Sequence, residues 1–122
     1  MKTILVVDDE SSIVTAWKRI LQLEGYQVVT ASNGREGLVA ANEDKPDLII
    51  TDRLMPIMDG VEFCRRLKLQ QELARIPVIL TSADPLDPGV IAVWDEFWLK
   101  PVSIEMLIAS AQRLLNACSS RI

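Results

Sequence analysis

The chain has no histidine. That excludes a Ser-His-Asp hydrolase, a His-ligated zinc site and a phosphohistidine carrier, each of which needs an imidazole. Neither GxxxxGK nor GxGxxG occurs, so nothing makes a case for an ATP-binding loop or a dinucleotide fingerprint. Any phosphoryl group this protein uses must come from elsewhere. Cysteine is scarce. Cys64 and Cys118 sit in helix-like segments without metal-ligand spacing and read as free thiols of a reducing cytoplasm. Positive charge is in deficit, with 13 Lys and Arg against 17 Asp and Glu. No basic footprint for nucleic acid or an anionic membrane results. No apolar run approaches the roughly 20 residues of a membrane span. Acidic residues interrupt the opening MKTILVVDDE too early for a signal peptide.

What is present is ordinary in amount and specific in order. The 122 residues suffice for one domain, 49% hydrophobic and 25% charged. Five short apolar runs predict strands at residues 3–7 (TILVV), 27–30 (QVVT), 48–51 (LIIT), 77–81 (PVILT) and 97–99 (FWL). They are continuous rather than alternating, as strands covered on both faces are. Helical patterns lie between them. Ile13, Trp17, Ile20 and Leu21 make one stripe, which Gly25 stops. Asn33 with Glu36, and Asp59 with Glu62, resemble capping boxes for a second and a third helix, the third carrying Val61, Phe63 and Leu67. Ser103 caps a last helix with Leu107, Ile108, Ala111 and Leu115 inward. The tail after Asn116 is expected to fray. Such alternation predicts an open parallel α/β sheet with helices on both faces, joined by right-handed crossovers.

In these sheets, ligands bind beyond the carboxyl ends of the strands. There the sequence places Asp8, Asp9 and Glu10 after the first strand and Asp52 after the third. Thr81 and Ser82 end the fourth strand, and Lys100-Pro101 follows the fifth. Singly, each has a plain explanation. Asp8 and Asp9 could cap the first helix, Asp52 could end a strand, Asp59-Gly60 could be a turn, and Met55 and Met58 read as packing. Together they are harder to dismiss. Two like charges about 4 Å apart repel by roughly 4 kcal/mol at an effective dielectric of 20. Gathered carboxylates therefore favour a hard cation such as Mg²⁺. A lysine and a hydroxyl suit phosphoryl oxygens, and a carboxylate can be the nucleophile that forms an aspartyl phosphate.

At this point the chain resembles the receiver domain of two-component response regulators, over about residues 2–115. The resemblance rests on VVDDE at 6–10, D-x-x-M-P-x-M-D-G at 52–60, PVILTSA at 77–83 and LKP at 99–101. It implies a flavodoxin-like five-stranded parallel sheet of order 2-1-3-4-5 and one receiver domain over the whole chain, 1–122. It implies Asp52 as phosphoacceptor, with Asp9 a direct ligand of Mg²⁺ (or Mn²⁺) and Asp8 a ligand mainly through water. The backbone carbonyl of Leu54 would be a further ligand. Thr81 would move onto the phosphoryl group, Lys100 would pair with it, and the Lys100-Pro101 peptide would be cis. Phe97 would be the aromatic switch. Met55-Pro56 would shape the loop under the metal. The implied partners are a histidine kinase or histidine phosphotransfer protein, a downstream protein or fused output domain, and a second copy in a dimer formed on phosphorylation. It implies no direct binding of nucleic acid or membrane. The implied role is a cytoplasmic switch rather than a turnover enzyme.

Two alternatives stand beside it: a binding module that keeps the fold without phosphate, and a phosphatase working through an aspartyl phosphate. The full set of signature residues opposes the first. The second usually has another Asp two residues past the nucleophile, where this chain has Leu54. One departure stands out. Thr81 and Lys100 are closer in sequence than is usual in that family, and the stretch between them carries Pro85, Pro88 and Gly89. The expectation is a shortened fourth helix of about two turns, from near Pro88 to about Trp94. Trp94 and Trp98 would fill the space it vacates, or else form a remodelled docking face.

Overall fold

The computed structural model describes residues 1–119, and side chains as far as Asn116. The elements run β1 (Thr3–Val7), α1 (Ser11–Leu23), β2 (Gln27–Ala31), α2 (Gly34–Asp44), β3 (Leu48–Asp52), α3 (Gly60–Leu69), β4 (Val78–Ser82), β5 (Glu96–Leu99) and α4 (Ile104–Ser119). All strand pairs are parallel, in the order β2-β1-β3-β4-β5. The expected fold class, strand order and five strands are therefore all present. The tail expected to fray after Asn116 instead continues as α4 through Ser119, while residues 120–122 and the Cys118 side chain lie outside the described residues.

Alternate residues of each strand feed two cores. On one face Ile4, Val6, Ile50, Ile79 and Trp98 pack with Leu21 of α1 and with Leu107, Ala111 and Leu115 of α4. On the other, Leu5, Val7, Ile49 and Val78 pack with Ala41 of α2 and with Phe63, Cys64 and Leu67 of α3. A buried Leu, Ile or Phe side chain contributes roughly 1.5–3 kcal/mol, and the central strands are buried on both faces. That burial fixes their register, because a one-residue slip would exchange the two cores.

The caps read from sequence are real in substance. Glu36 N–H donates to Asn33 Oδ1 at 2.9 Å, and the Glu36 carboxylate turns back to Ser32 rather than Asn33. Glu62 N–H donates to Asp59 Oδ1 at 2.9 Å, but its carboxylate pairs with Arg65 and Arg66. Met106 N–H donates to Ser103 Oγ at 3.1 Å.

The short helix expected over 88–94 does not form. The segment from Ala83 to Asp95 has no helical residue. Pro85 and Pro88 remove two amide donors, and Gly89 adopts φ +88°, which breaks a right-handed helix at its first turn. Two turns cannot repay the cost of nucleation without a packed face. Here Val90 and Ile91 are exposed, Ile91 at 82%. What replaces the helix is packing. Val93 and Trp94 lie against the core that α2 and α3 cover, and Trp98 is buried in the opposite one. Both indoles therefore fill space rather than stand as an exposed docking face. Asp95 closes the segment: its backbone N–H donates to the Val78 carbonyl, and its side chain accepts from Val78 N–H, both at 2.8 Å.

Candidate functional site

Parallel register brings the strand ends together. Val7 lies opposite Thr51, and Asp52 lies opposite Thr81. Asp8, the next residue after β1, is thereby placed beside Asp52. Beyond β5, Lys100 is tied to β4 by its N–H donating to the Ser82 carbonyl at 2.8 Å. The Lys100-Pro101 peptide is cis, as expected.

The side chains converge as the sequence suggested. Lys100 Nζ is 3.1 Å from Asp52 Oδ1 and 3.4 Å from Asp8 Oδ2. Thr81 Oγ1 lies 3.5 Å from both Asp52 Oδ1 and the Thr51 carbonyl, at the outer limit of hydrogen bonding. Asp8 is buried and accepts the Glu10 N–H at Oδ1 over 3.0 Å. It therefore does not cap α1 by its own side chain; Glu10 holds the cap position. Asp9 is exposed. One carboxylate oxygen from each of Asp8, Asp9 and Asp52 lies within 4.8 Å of the others. Among the described residues Lys100 pairs with two of these three carboxylates, Asp8 and Asp52, and the imbalance is felt at Asp8. Its burial, and then the neighbouring Asp52 charge, hold its carboxyl above the ordinary value, although the Glu10 N–H and Lys100 oppose the rise. At Lys100, burial pulls the pKa down, but the Asp52 hydrogen bond and the two carboxylate charges outweigh it, so the ammonium is held above its usual range.

These carboxylates fit a divalent metal. All the donors are hard oxygens, they lie within reach of one ion, and among the described residues the Lys100 ammonium, paired with Asp8 and Asp52, leaves them under-compensated. Asp9, the exposed member of the three, is the carboxylate with the freest approach.

The loop after β3 is shaped by residues whose part the sequence only half revealed. Gly60 N–H donates to the Arg53 carbonyl at 2.7 Å. A Cβ on Gly60 would stand 2.1 Å from the Asp52 carbonyl oxygen, so only glycine lets α3 start against the backbone of Asp52. Gly34 N–H donates to the Met58 carbonyl at 3.0 Å, and a Cβ there would meet that oxygen at 2.7 Å. The Asp-Gly pair had signalled a turn; the backbone clash is invisible without the fold. Met55 and Met58 are packing residues, set against the α2/α3 core. Leu54 lies two residues past Asp52 and is 63% exposed. Phe97 is half-buried, opposite Leu80 rather than Thr81, and Trp98 stands opposite Thr81.

Comparison with known proteins agrees with this geometry. The response regulator receiver domain model matches residues 4–112. The alkaline phosphatase synthesis transcriptional regulatory protein PhoP of Bacillus subtilis is 41% identical over 118 residues, 94% of this chain and 49% of that protein. Among solved structures, a chemotaxis response regulator of Vibrio cholerae superposes with a TM-score of 0.84 at 34% identity, covering 93% of this chain and 98% of that one. The signal receiver domain of a signal transduction histidine kinase from Syntrophus aciditrophicus gives a TM-score of 0.87 at 38% identity, covering 96% and 92%. The chain spans about half the length of the curated relatives it matches. Strand order, the acidic edge with its lysine and hydroxyl, and the match over 4–112 all agree: this chain belongs to the response regulator receiver domain family.

Proposed function

We propose that Asp52 accepts a phosphoryl group from the phosphohistidine of a partner, a histidine kinase or a histidine phosphotransfer protein. One observation carries this reading: Asp52 Oδ1 has an ammonium at 3.1 Å and a hydroxyl at 3.5 Å, beside two further carboxylates within metal-ligating reach. Asp52 Oδ attacks phosphorus, the P–N bond to the donor imidazole breaks, and the imidazole leaves with that electron pair. Lys100 stays cationic, leaves its ion pair with Asp52 and pairs with a phosphoryl oxygen instead. Thr81 Oγ1 donates a hydrogen bond to another. Asp8, Asp9, Asp52 and the Leu54 carbonyl would hold Mg²⁺ or Mn²⁺, Asp9 directly and Asp8 mainly through water. When bound, the ion supplies charge neutralisation between the carboxylates and the incoming phosphate. Every other contribution is positioning by this chain, which is where most of the catalysis of phosphoryl transfer lies.

The chain 1–122 then serves as one cytoplasmic receiver domain, a switch more than a turnover enzyme. Its output passes to a fused domain, a separate protein or a second copy. Movement of Thr81 onto the phosphoryl group would free space that Phe97 follows into, biasing a two-state segment between β4 and β5. The test is binding of beryllofluoride with Mg²⁺, followed by tryptophan emission. A saturable change that Asp52→Asn abolishes is expected. An identical change in that variant, or none in the wild type, contradicts the reading.

A further inference from the structure

Ile57 sits at φ +72°. Its neighbours close a γ-turn around it, with Met58 N–H donating to the Pro56 carbonyl at 2.7 Å. This is the strained hand of that turn, and a β-branched side chain is among the worst occupants of the left-handed region. Packing does not repay the strain, because Ile57 is 75% exposed. An exposed apolar residue alone needs no explanation. An exposed one that also strains its backbone does, since glycine or asparagine would hold the same turn at less cost.

Position supplies the explanation. The loop is closed at its base by the Gly60–Arg53 hydrogen bond, and Met55 and Met58 point into the core. Leu54, Pro56 and Ile57, with Asp59 at the start of α3, are therefore its outward residues. Ile57 lies at the tip, within about 14 Å of the base by chain reach. A protein that delivers a group to Asp52 must cover this edge. A standard interface buries about 800 Å² on each partner, a disc of roughly 16 Å radius. A disc of that size around Asp52 reaches over the loop that begins at the next residue, Arg53, and a small-molecule donor has no such footprint.

From this strain and this placement we infer that Ile57 is a specificity-determining contact for the protein phosphodonor, inserting its side chain into an apolar surface beside the donor histidine. The inference rests on the phosphotransfer reading of Asp52. Ile57 touches no reacting atom; it selects the partner and holds it.

The experiment compares two donors on Ile57→Gly, Ile57→Asn and Ile57→Met. One donor is acetyl phosphate. The other is the fastest donor to wild type in a panel of purified, phosphorylated histidine-kinase cytoplasmic domains. With acetyl phosphate all three variants should match wild type within about twofold. With the kinase domain, Gly and Asn should lower the second-order transfer rate at least about tenfold, through half-saturating concentration rather than maximal rate, while Met retains the wild-type rate. Equal transfer to all variants overturns the inference, as does a loss shared by Met. So does a panel in which no kinase domain labels the wild type although acetyl phosphate does. A wild type labelled by neither donor overturns the phosphotransfer reading itself.

Discussion

Lys100 Nζ lies 3.1 Å from Asp52 Oδ1, and this one ammonium also serves Asp8 at 3.4 Å. Its role is therefore charge balance at the strand ends. Lys100→Ala should reduce phosphoryl uptake from acetyl phosphate at least about tenfold, because the phosphoryl oxygens lose a charge-assisted partner. Stability should change less, since a partly exposed ion pair contributes only about 1 kcal/mol. Uptake rates and urea midpoints on the same samples check this. Full uptake with a collapsed midpoint makes Lys100 structural.

Asp8 and Asp9 should separate by role. Asp9 is exposed, so Asp9→Ala should shift stability by no more than about 0.5 kcal/mol. It should weaken Mg²⁺ affinity more than Asp8→Ala does. Asp8 is an acid whose folded pKa is raised, by burial first and by Asp52 second. The stability it contributes is present in full below its ordinary value of 3.8 and is lost as pH rises through the folded value. Asp8→Asn keeps an acceptor for the Glu10 N–H and removes that loss. In metal-free buffer its stability should therefore fall less than that of wild type between pH 4 and about 7. Parallel curves count against this account, as do equal Mg²⁺ losses in the two alanine variants.

The Cys64 thiol is pushed up from 9.0 to about 12, chiefly by burial. An acid raised in the fold stabilises fully below its unfolded pKa and loses that contribution as pH rises through the folded one. The difference of three units, 12 less 9, corresponds to about 4 kcal/mol. The stability gap between wild type and Cys64→Ala should therefore narrow from pH 9 upward. Cys118 is common to both proteins and cancels. A gap independent of pH contradicts the assignment.

Ile57→Gly should stabilise the chain. Left-handed strain at a non-glycine residue costs about 1–3 kcal/mol, and glycine returns about 0.5–1 kcal/mol of that as chain entropy. A net gain of about 1 kcal/mol is expected, a Tm rise of about 4 °C. A lower Tm means that the Ile57 side chain packs after all.

The strand ends were legible in the sequence because chemistry and topology coincide there. Continuous Val and Ile runs predict buried parallel strands, parallel strands align their carboxyl ends, and Asp8, Asp52, Thr81 and Lys100 are the residues found at those ends. Turn chemistry was legible only in part. Asp59-Gly60 announced a helix start, but the reason for Gly60 is a 2.1 Å clash with the Asp52 carbonyl that only the fold creates. The segment after β4 misled for a physical reason. Asp87-Pro88 is a good helix opening, and the residues after it are apolar, but Gly89 turns left-handed and nothing packs on Ile91. A helix start without a buried face does not become a helix. Amide exchange should accordingly be fast over 89–93, with Asp95, bonded to Val78, protected. Beryllofluoride with Mg²⁺ should raise protection in this segment if phosphorylation acts by ordering it. Protection equal to that of β4 in the free protein contradicts the irregular segment.

The central claim is that Asp52 is the phosphoacceptor, and intact mass with peptide mapping tests it most directly. After incubation with acetyl phosphate and Mg²⁺, the wild type should gain one phosphoryl group, of about 80 Da, carried on Asp52 by the acyl-phosphate route. Chelator should prevent the gain, and Asp52→Asn should show none. A comparable stable adduct on Asp52→Asn, or one mapped to another residue in the wild type, contradicts the account.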